Sequence, residues 1–283
     1  MQLFINETHD EERAFYGLRQ AQLQNCRFAG PADDESALKE TADLELDGCE
    51  FNLRYPLWHS SRAELTNCRL TESCRAALWY DQDVSIVNSW LNGIKALREA
   101  NNIRLLNCQI NSSEFGWFCH NLELKDCQLQ SEYPFLQSSS LKITGLRLTA
   151  KYSFQYVQEA VIRNSVLNTK DAFWHSRNVT VYDSVLKGEY LGWYSDNLHL
   201  VRCKIIGTQP LCYAKGLRLE DCTMQNCDLA FENSEVTASV FGHIDSVKNP
   251  QSGCIVASSI GEIIQGWPER ACRIITEPVA FSA

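Results

Sequence analysis

Ile103-Arg104-Leu105-Leu106-Asn107-Cys108-Gln109-Ile110 is followed, 19 residues later, by Leu122-Glu123-Leu124-Lys125-Asp126-Cys127-Gln128-Leu129. The two phrases share one grammar. Apolar and polar residues alternate, an Asn or Asp follows, then Cys, then a polar residue and Leu or Ile. Period-two alternation is the mark of a strand with one buried face. Asn and Asp suit the bend, because their side chains bond nearby backbone and tolerate left-handed geometry. Aligned on its Cys or Ser, the phrase recurs at 26, 49, 68, 89, 108, 127, 146, 165, 184, 203 and 222. The first three intervals are 23, 19 and 21 residues, and the next seven are all 19. A unit of this length cannot bury its own apolar face, whereas a stack of such units can. The leucine-rich phrase LxxLxLxxN is absent, and no helical stretch separates the strands. The sequence therefore predicts an all-β fold, a single-stranded right-handed parallel β-helix of about 11 to 12 coils. One domain is expected over 1–283. Residues 1–24 form an N-terminal cap and first strand, 25–241 the regular coils, and 242–283 an irregular last coil and C-terminal cap.

Composition sets the class of partner. The 283 residues are 45% hydrophobic and 22% charged, which is globular, and the net charge is -9. An acidic chain argues against a duplex nucleic-acid binder, which needs a basic face. No apolar run is long enough to span a membrane, and the first residues lack the apolar segment of a secretory signal. Cysteine occurs 13 times. Within the repeat it exchanges with serine, as in Asn88-Ser89, Asn164-Ser165 and Asp183-Ser184. That exchange reads as a small inward side chain rather than half a disulfide or a metal ligand. Reduced thiols imply the cytoplasm. Neither metal nor cofactor is expected: Walker, GxGxxG, GxSxG and HExxH motifs are all missing. Pro31 to Glu40 reads as an insertion, a loop entering one helical turn, that accounts for the longest interval.

A second phrase follows each turn. Aligned on a small residue, it runs charged, apolar, small, apolar, aromatic: Arg54-Tyr55-Pro56-Leu57-Trp58, Arg75-Ala76-Ala77-Leu78-Trp79, Lys170-Asp171-Ala172-Phe173-Trp174. Read as a strand, it puts a charged ladder, a trough of small residues and an aromatic wall on one face. Sugars suit such a face, because aromatic rings pack on their C–H faces and charged groups bind hydroxyls or uronates. Glu114, Glu132, Lys170, Asp171 and Glu189 are the candidate catalytic residues. Glu114 beside Glu132 would be an acid–base pair of carboxylates in adjacent coils, and Asp171 with Glu189 a second such pair. Arg54, Arg75, Lys151, Trp58, Trp79, Trp174, His175, Tyr194 and Asp228 are the candidate substrate-binding residues. His59, His120, His199 and His243 show no mutual spacing and read as ordinary residues. The alternative function is a non-catalytic scaffold that docks another protein or a second copy of itself through the same face.

The phrases Leu53-Arg54-Tyr55-Pro56-Leu57-Trp58-His59, Glu114-Phe115-Gly116-Trp117, Thr169-Lys170-Asp171-Ala172-Phe173-Trp174-His175 and Gly188-Glu189-Tyr190-Leu191-Gly192-Trp193-Tyr194-Ser195 carry a resemblance. The chain is similar to a bacterial family of unknown function with a pectin-lyase-like right-handed β-helix. The resemblance implies the fold and brings no established activity. The wider superfamily includes pectate lyases and polygalacturonases, which makes a glycoside hydrolase or polysaccharide lyase the implied enzyme class. The Asp cluster of its calcium-dependent lyases has no match here, so that chemistry would be fold analogy alone.

Overall fold

A computed structural model describes residues 1–30, 35–266 and 271–277. Among them there is no helix, and the paired strands are parallel throughout. The chain divides into two compact units, residues 1–142 and 143–283. In the first, Arg19–Gln24, Ala42–Asp47, Ser61–Thr66, Gln82–Val87, Asn101–Leu106 and His120–Lys125 pair in register. In the second, Gln158–Arg163, Arg177–Tyr182 and Asp196–Val201 do the same. Each long strand is followed by a shorter one, such as Gln109–Asn111 or Val185–Lys187, paired with its counterpart one coil on. The architecture is a β-solenoid.

Counted over both units, the strands make about 14 turns, about 19 residues apart. The excess over the expected number of coils comes from segments that looked like caps. Gln2–Ile5 pairs with Arg19–Gln24 at the same offset of 19, Gln2 opposite Ala21. Glu235–Lys248, Ser252–Ile264 and Ala271–Thr276 extend the ladder at the other end. Their repeat phrase has decayed while their alternation survives, and alternation is what pairing requires. The insertion resolves similarly. Residues 31–34 lie outside the described residues, and 35–40 are not helical but turn as a wall of their coil. Leu38 N–H donates to Pro56 O, and Ala37 O accepts from Phe15 N–H.

The corners are left-handed. Asn25, Asn67, Asn88 and Asn107 have φ of 52°, 54°, 51° and 52°, and Asn164 and Asp183 have 51° and 49°. This is the geometry that Asn and Asp tolerate best after glycine. A corner aims backbone groups inward, where water cannot meet them, so a side chain must. The Cys/Ser column does this. Ser89 Oγ accepts the Cys68 N–H at 2.9 Å and donates to Val87 O at 2.8 Å. Cys68 Sγ lies 3.3 Å from Thr66 O and 3.6 Å from Leu46 O, in the coil before. Cys and Ser therefore exchange because both carry a short inward donor. All 13 cysteines are free thiols, and all but Cys254 are buried. Burial pushes the thiols of Cys119, Cys212 and Cys227 up to about 12.

Beside this polar column run apolar ones. Phe28 stacks on Phe51 at 5.0 Å in the first unit, and Phe154 on Phe173 at 5.0 Å in the second. Parallel in-register stacking puts identical positions face to face, so one good core residue can be reused coil after coil.

Candidate binding face

The second phrase is not a strand over most of its length. Only Leu57–Trp58, Leu78–Trp79 and Leu97–Arg98 form short paired strands. Elsewhere alternate residues are left-handed, as in Asp171, Phe173 and His175 with φ of 51°, 63° and 52°. Faces then no longer alternate as in a pleat. The small residues Pro56, Ala77, Pro134, Ser153 and Ala172 are buried, so no trough of small residues lies beside the charges. Alignment on small residues was also one position out in some coils. Gly116 stacks not with Pro134 but with Phe135, whose ring lies 3.0 Å from where a Gly116 Cβ would stand. Gly192 makes the same room for Leu211, at 2.8 Å. In those coils the small residue accommodates a large neighbour.

Glu114 stands one coil after Lys95 and meets Lys95 Nζ at 3.6 Å and Arg98 Nη1 at 4.0 Å. Glu132 is exposed, in the next coil, its N–H bonded to Ser113 O. Asp171 and Glu189 are in different columns. Glu189 is bound to Lys170 at 3.1 Å, and that bond holds the ammonium above its ordinary range. Asp171 is 7% exposed, and burial raises its carboxyl. The substrate-binding candidates scatter. Arg54 lies 3.6 Å from Glu35. Trp58 stacks on Trp79 at 5.6 Å, and Trp79 donates to Glu99 at 3.3 Å. Arg75 and Lys151 are exposed, and Asp228 accepts from the Thr208 hydroxyl. Trp174 stacks on Trp193 at 5.6 Å and donates to Tyr190 O at 2.9 Å, which makes it a plate in the wall.

Two candidates do come together, His175 and Tyr194, and they belong to a longer ladder in residues 143–283. Tyr156, His175, Tyr194 and Tyr213 occupy the same corner of successive coils. Their rings stack at 5.0, 5.0 and 4.9 Å with interplanar angles of 8°, 8° and 13°. Two residues past each ring come Gln158, Arg177 and Asp196, the first positions of their long strands, and Lys215, a bridge residue just before the strand Leu217–Gln225. Gln158 is in register with Arg177, Arg177 with Asp196, and Asp196 with Lys215. Glu235 continues the row, its N–H bonded to Ala214 O as the Lys215 N–H is to Ser195 O. Ladder and row flank a trough of about 400 Å³.

Among the described residues the charges of this row have no partners, a state they share with Lys187, Lys204 and Arg218, but here they alternate in sign beside an aromatic corner. Arg177, Asp196, Lys215 and Glu235 are exposed and make no ion pair or side-chain hydrogen bond among the described residues. Charges one coil apart pair readily elsewhere in the same unit: Arg202 with Asp183 at 2.6 Å, Lys170 with Glu189 at 3.1 Å. The sequence reading missed the row because the alternation was scanned from the next apolar residue, Val179 or Leu198. Writing out every column at the 19-residue period would have shown it. Among the described residues no group of three or more His, Cys, Asp and Glu side chains is placed to hold a metal ion.

Stacked parallel coils define a β-solenoid, here with an aromatic corner beside a row of alternating charges. The chain belongs to the family described as "Protein of unknown function (DUF3737)", which matches residues 2–275. Curated proteins give no match. Among solved structures it is similar to PfbA, a surface adhesin of Streptococcus pneumoniae, at 12% identity. That match covers 91% of this chain and 74% of the adhesin, with a TM-score of 0.41. It is also similar to QnrB1, a plasmid-mediated fluoroquinolone resistance protein, at 14% identity, 79% and 91% coverage and a TM-score of 0.20. The catalytic domain of a GH87 alpha-1,3-glucanase matches at 9% identity, 96% and 62% coverage and a TM-score of 0.24.

Proposed function

We propose that this protein is a non-catalytic docking module that presents the Tyr156–Tyr213 ladder and its charged row to a macromolecular partner. The carrying observation is the unpaired row Arg177, Asp196, Lys215 and Glu235 along an aromatic corner. Such charges contribute little to the fold, and they are available to a partner that desolvates them. Catalysis has weaker support. Glu114 and Glu189 are each tied to a cation. The free thiols support a reducing, cytoplasmic location.

Carbohydrate binding is the second reading, favoured by the hydroxyls of Tyr156, Tyr194 and Tyr213 along the trough. Against it, each ring of the ladder covers the face of the next, so edges and hydroxyls are offered rather than the flat faces on which sugars stack. A thermal-shift panel of neutral, amino and acidic oligosaccharides separates the two. The docking reading expects a flat panel. A rise of several degrees, abolished by Tyr194→Ala in a protein that still folds, would replace it with the carbohydrate reading.

A further inference from the structure

The charged row dictates what its partner must look like. Along successive coils it reads Arg177 positive, Asp196 negative, Lys215 positive and Glu235 negative. Neighbouring strands lie about 4.8 Å apart, so a partner must carry the opposite alternation at that spacing. An extended peptide places same-face side chains about 6.7 Å apart and falls out of step within a few residues. A stack of paired strands, such as a solenoid of this kind, repeats its side chains at the coil spacing.

Resting on the docking reading, we infer that the partner is a second copy of this chain, packed antiparallel along the row about a two-fold axis between Asp196 and Lys215. Read backwards, the row runs Glu235, Lys215, Asp196, Arg177, which is negative, positive, negative, positive. Each position then meets its opposite: Arg177 faces Glu235 of the second copy, and Asp196 faces Lys215. The contact is isologous, as a two-fold interface must be. A parallel overlay in the same register would set like charge against like. The aromatic corner turns over in the same operation, bringing the edge of Tyr194 toward Tyr213 of the second copy and that of Tyr213 toward its Tyr194. Those edges carry hydroxyl groups, which suits them to a polar, partly hydrated contact. The equivalent first-strand positions of residues 1–142 are Arg19, Ala42, Ser61, Gln82, Asn101, His120 and Ser139, with no alternation of charge.

The test is the mass of the full-length protein by light scattering and sedimentation across concentration, at low and high salt. The wild type is expected to dimerise, with a dimer that weakens as salt rises. Asp196→Lys and Lys215→Asp should each weaken it by about tenfold or more, since each sets like charges against each other twice. Together the two substitutions give positive, positive, negative, negative along the row. That pattern still complements its own reverse about the same axis, so the double variant should recover the dimer. Unchanged circular dichroism and melting of the single variants would exclude misfolding. A wild type that stays monomeric at every concentration overturns the inference, and so does a dimer indifferent to the single changes or not restored by the swap. A monomer with a flat sugar panel sinks only the second copy as partner. A monomer stabilised by a sugar, with the effect lost in Tyr194→Ala, sinks the docking reading as well.

Discussion

The same corner is built differently in the two units. In residues 1–142 it carries His59, Tyr80, Glu99 and Phe118, and Glu99 is held by its neighbours. Glu99 accepts from Arg98 at 3.1 Å and from Trp79 at 3.3 Å, while the Arg98 guanidinium lies 5.4 Å from the Trp117 ring centre. The strand edge beside it is uncharged. In residues 143–283 the corner is an unbroken aromatic ladder, and the edge beside it bears alternating charges without partners. One backbone supports both, so the backbone does not require the charges. The first corner is finished within the chain, and the second is left open.

The sharpest way to break this contrast is to remove the support behind the open corner. Phe173 is fully buried against Phe154, two residues before His175. Phe173→Ala should cost ~3–5 kcal/mol in denaturant unfolding and disorder the ladder with it. If stability hardly changed, the corner would not depend on the core stack.

A smaller effect comes from the finished side. Asp81 is fully buried, its Oδ1 accepting the Ser60 N–H at 2.7 Å while Oδ2 has no hydrogen-bond partner. Burial holds its carboxyl well above the ordinary range. A folded-state value above the unfolded one means that the folded state keeps the proton. Stability is therefore lost as pH rises from the unfolded value, about 3.9, toward the folded one. Serine occupies this column at Ser60 and Ser138. Asp81→Ser should raise the melting temperature at pH 8 by the equivalent of ~1–3 kcal/mol, and the gain should shrink toward pH 4. A gain that did not vary with pH would mean that Asp81 is not buried as its neutral acid.

The two smallest effects set the corners side by side. Glu99→Gln weakens an internal network and should cost ~0.5–1 kcal/mol. Asp196→Asn, at an edge with no internal partner, should fall within about 0.5 kcal/mol of wild type in the monomer. Equal losses in thermal melts of dilute protein would erase the distinction between a closed corner and an open one.

Much of the fold was legible, because each coil repeats the same local physics. Alternation gave the strands, and Asn107 or Asp183 gave the corners, since few residues accept that geometry. The column of exchangeable Cys and Ser pointed inward correctly, but its task did not show. Alternation reports burial and is silent on which carbonyl a thiol must meet. The ends read only as a first strand, an irregular last coil and caps because their corner phrase has decayed. The site was legible only in part. His175 and Tyr194 stood out as aromatic or titratable letters near the right corner. Small residues look alike in a sequence, whereas Gly116 makes room for Phe135 of the next coil rather than marking a trough. Arg177, Asp196 and Lys215 carry no motif, and their meaning lies in the absence of partners, which only three dimensions reveal.

The corner bonds also bear on how such a molecule can change length. Ser89 caps Cys68, and Ser184 caps Ser165, each from the following coil. What one coil leaves unfinished, the next completes, and every regular coil presents the same demand. Gain or loss of a whole repeat thus leaves each surviving junction as it was, whereas an indel inside a strand tips alternate side chains to the wrong face. Lineages carrying this solenoid can drift in steps of a full repeat, while the 23- and 21-residue intervals show that extra residues are taken up in the turns.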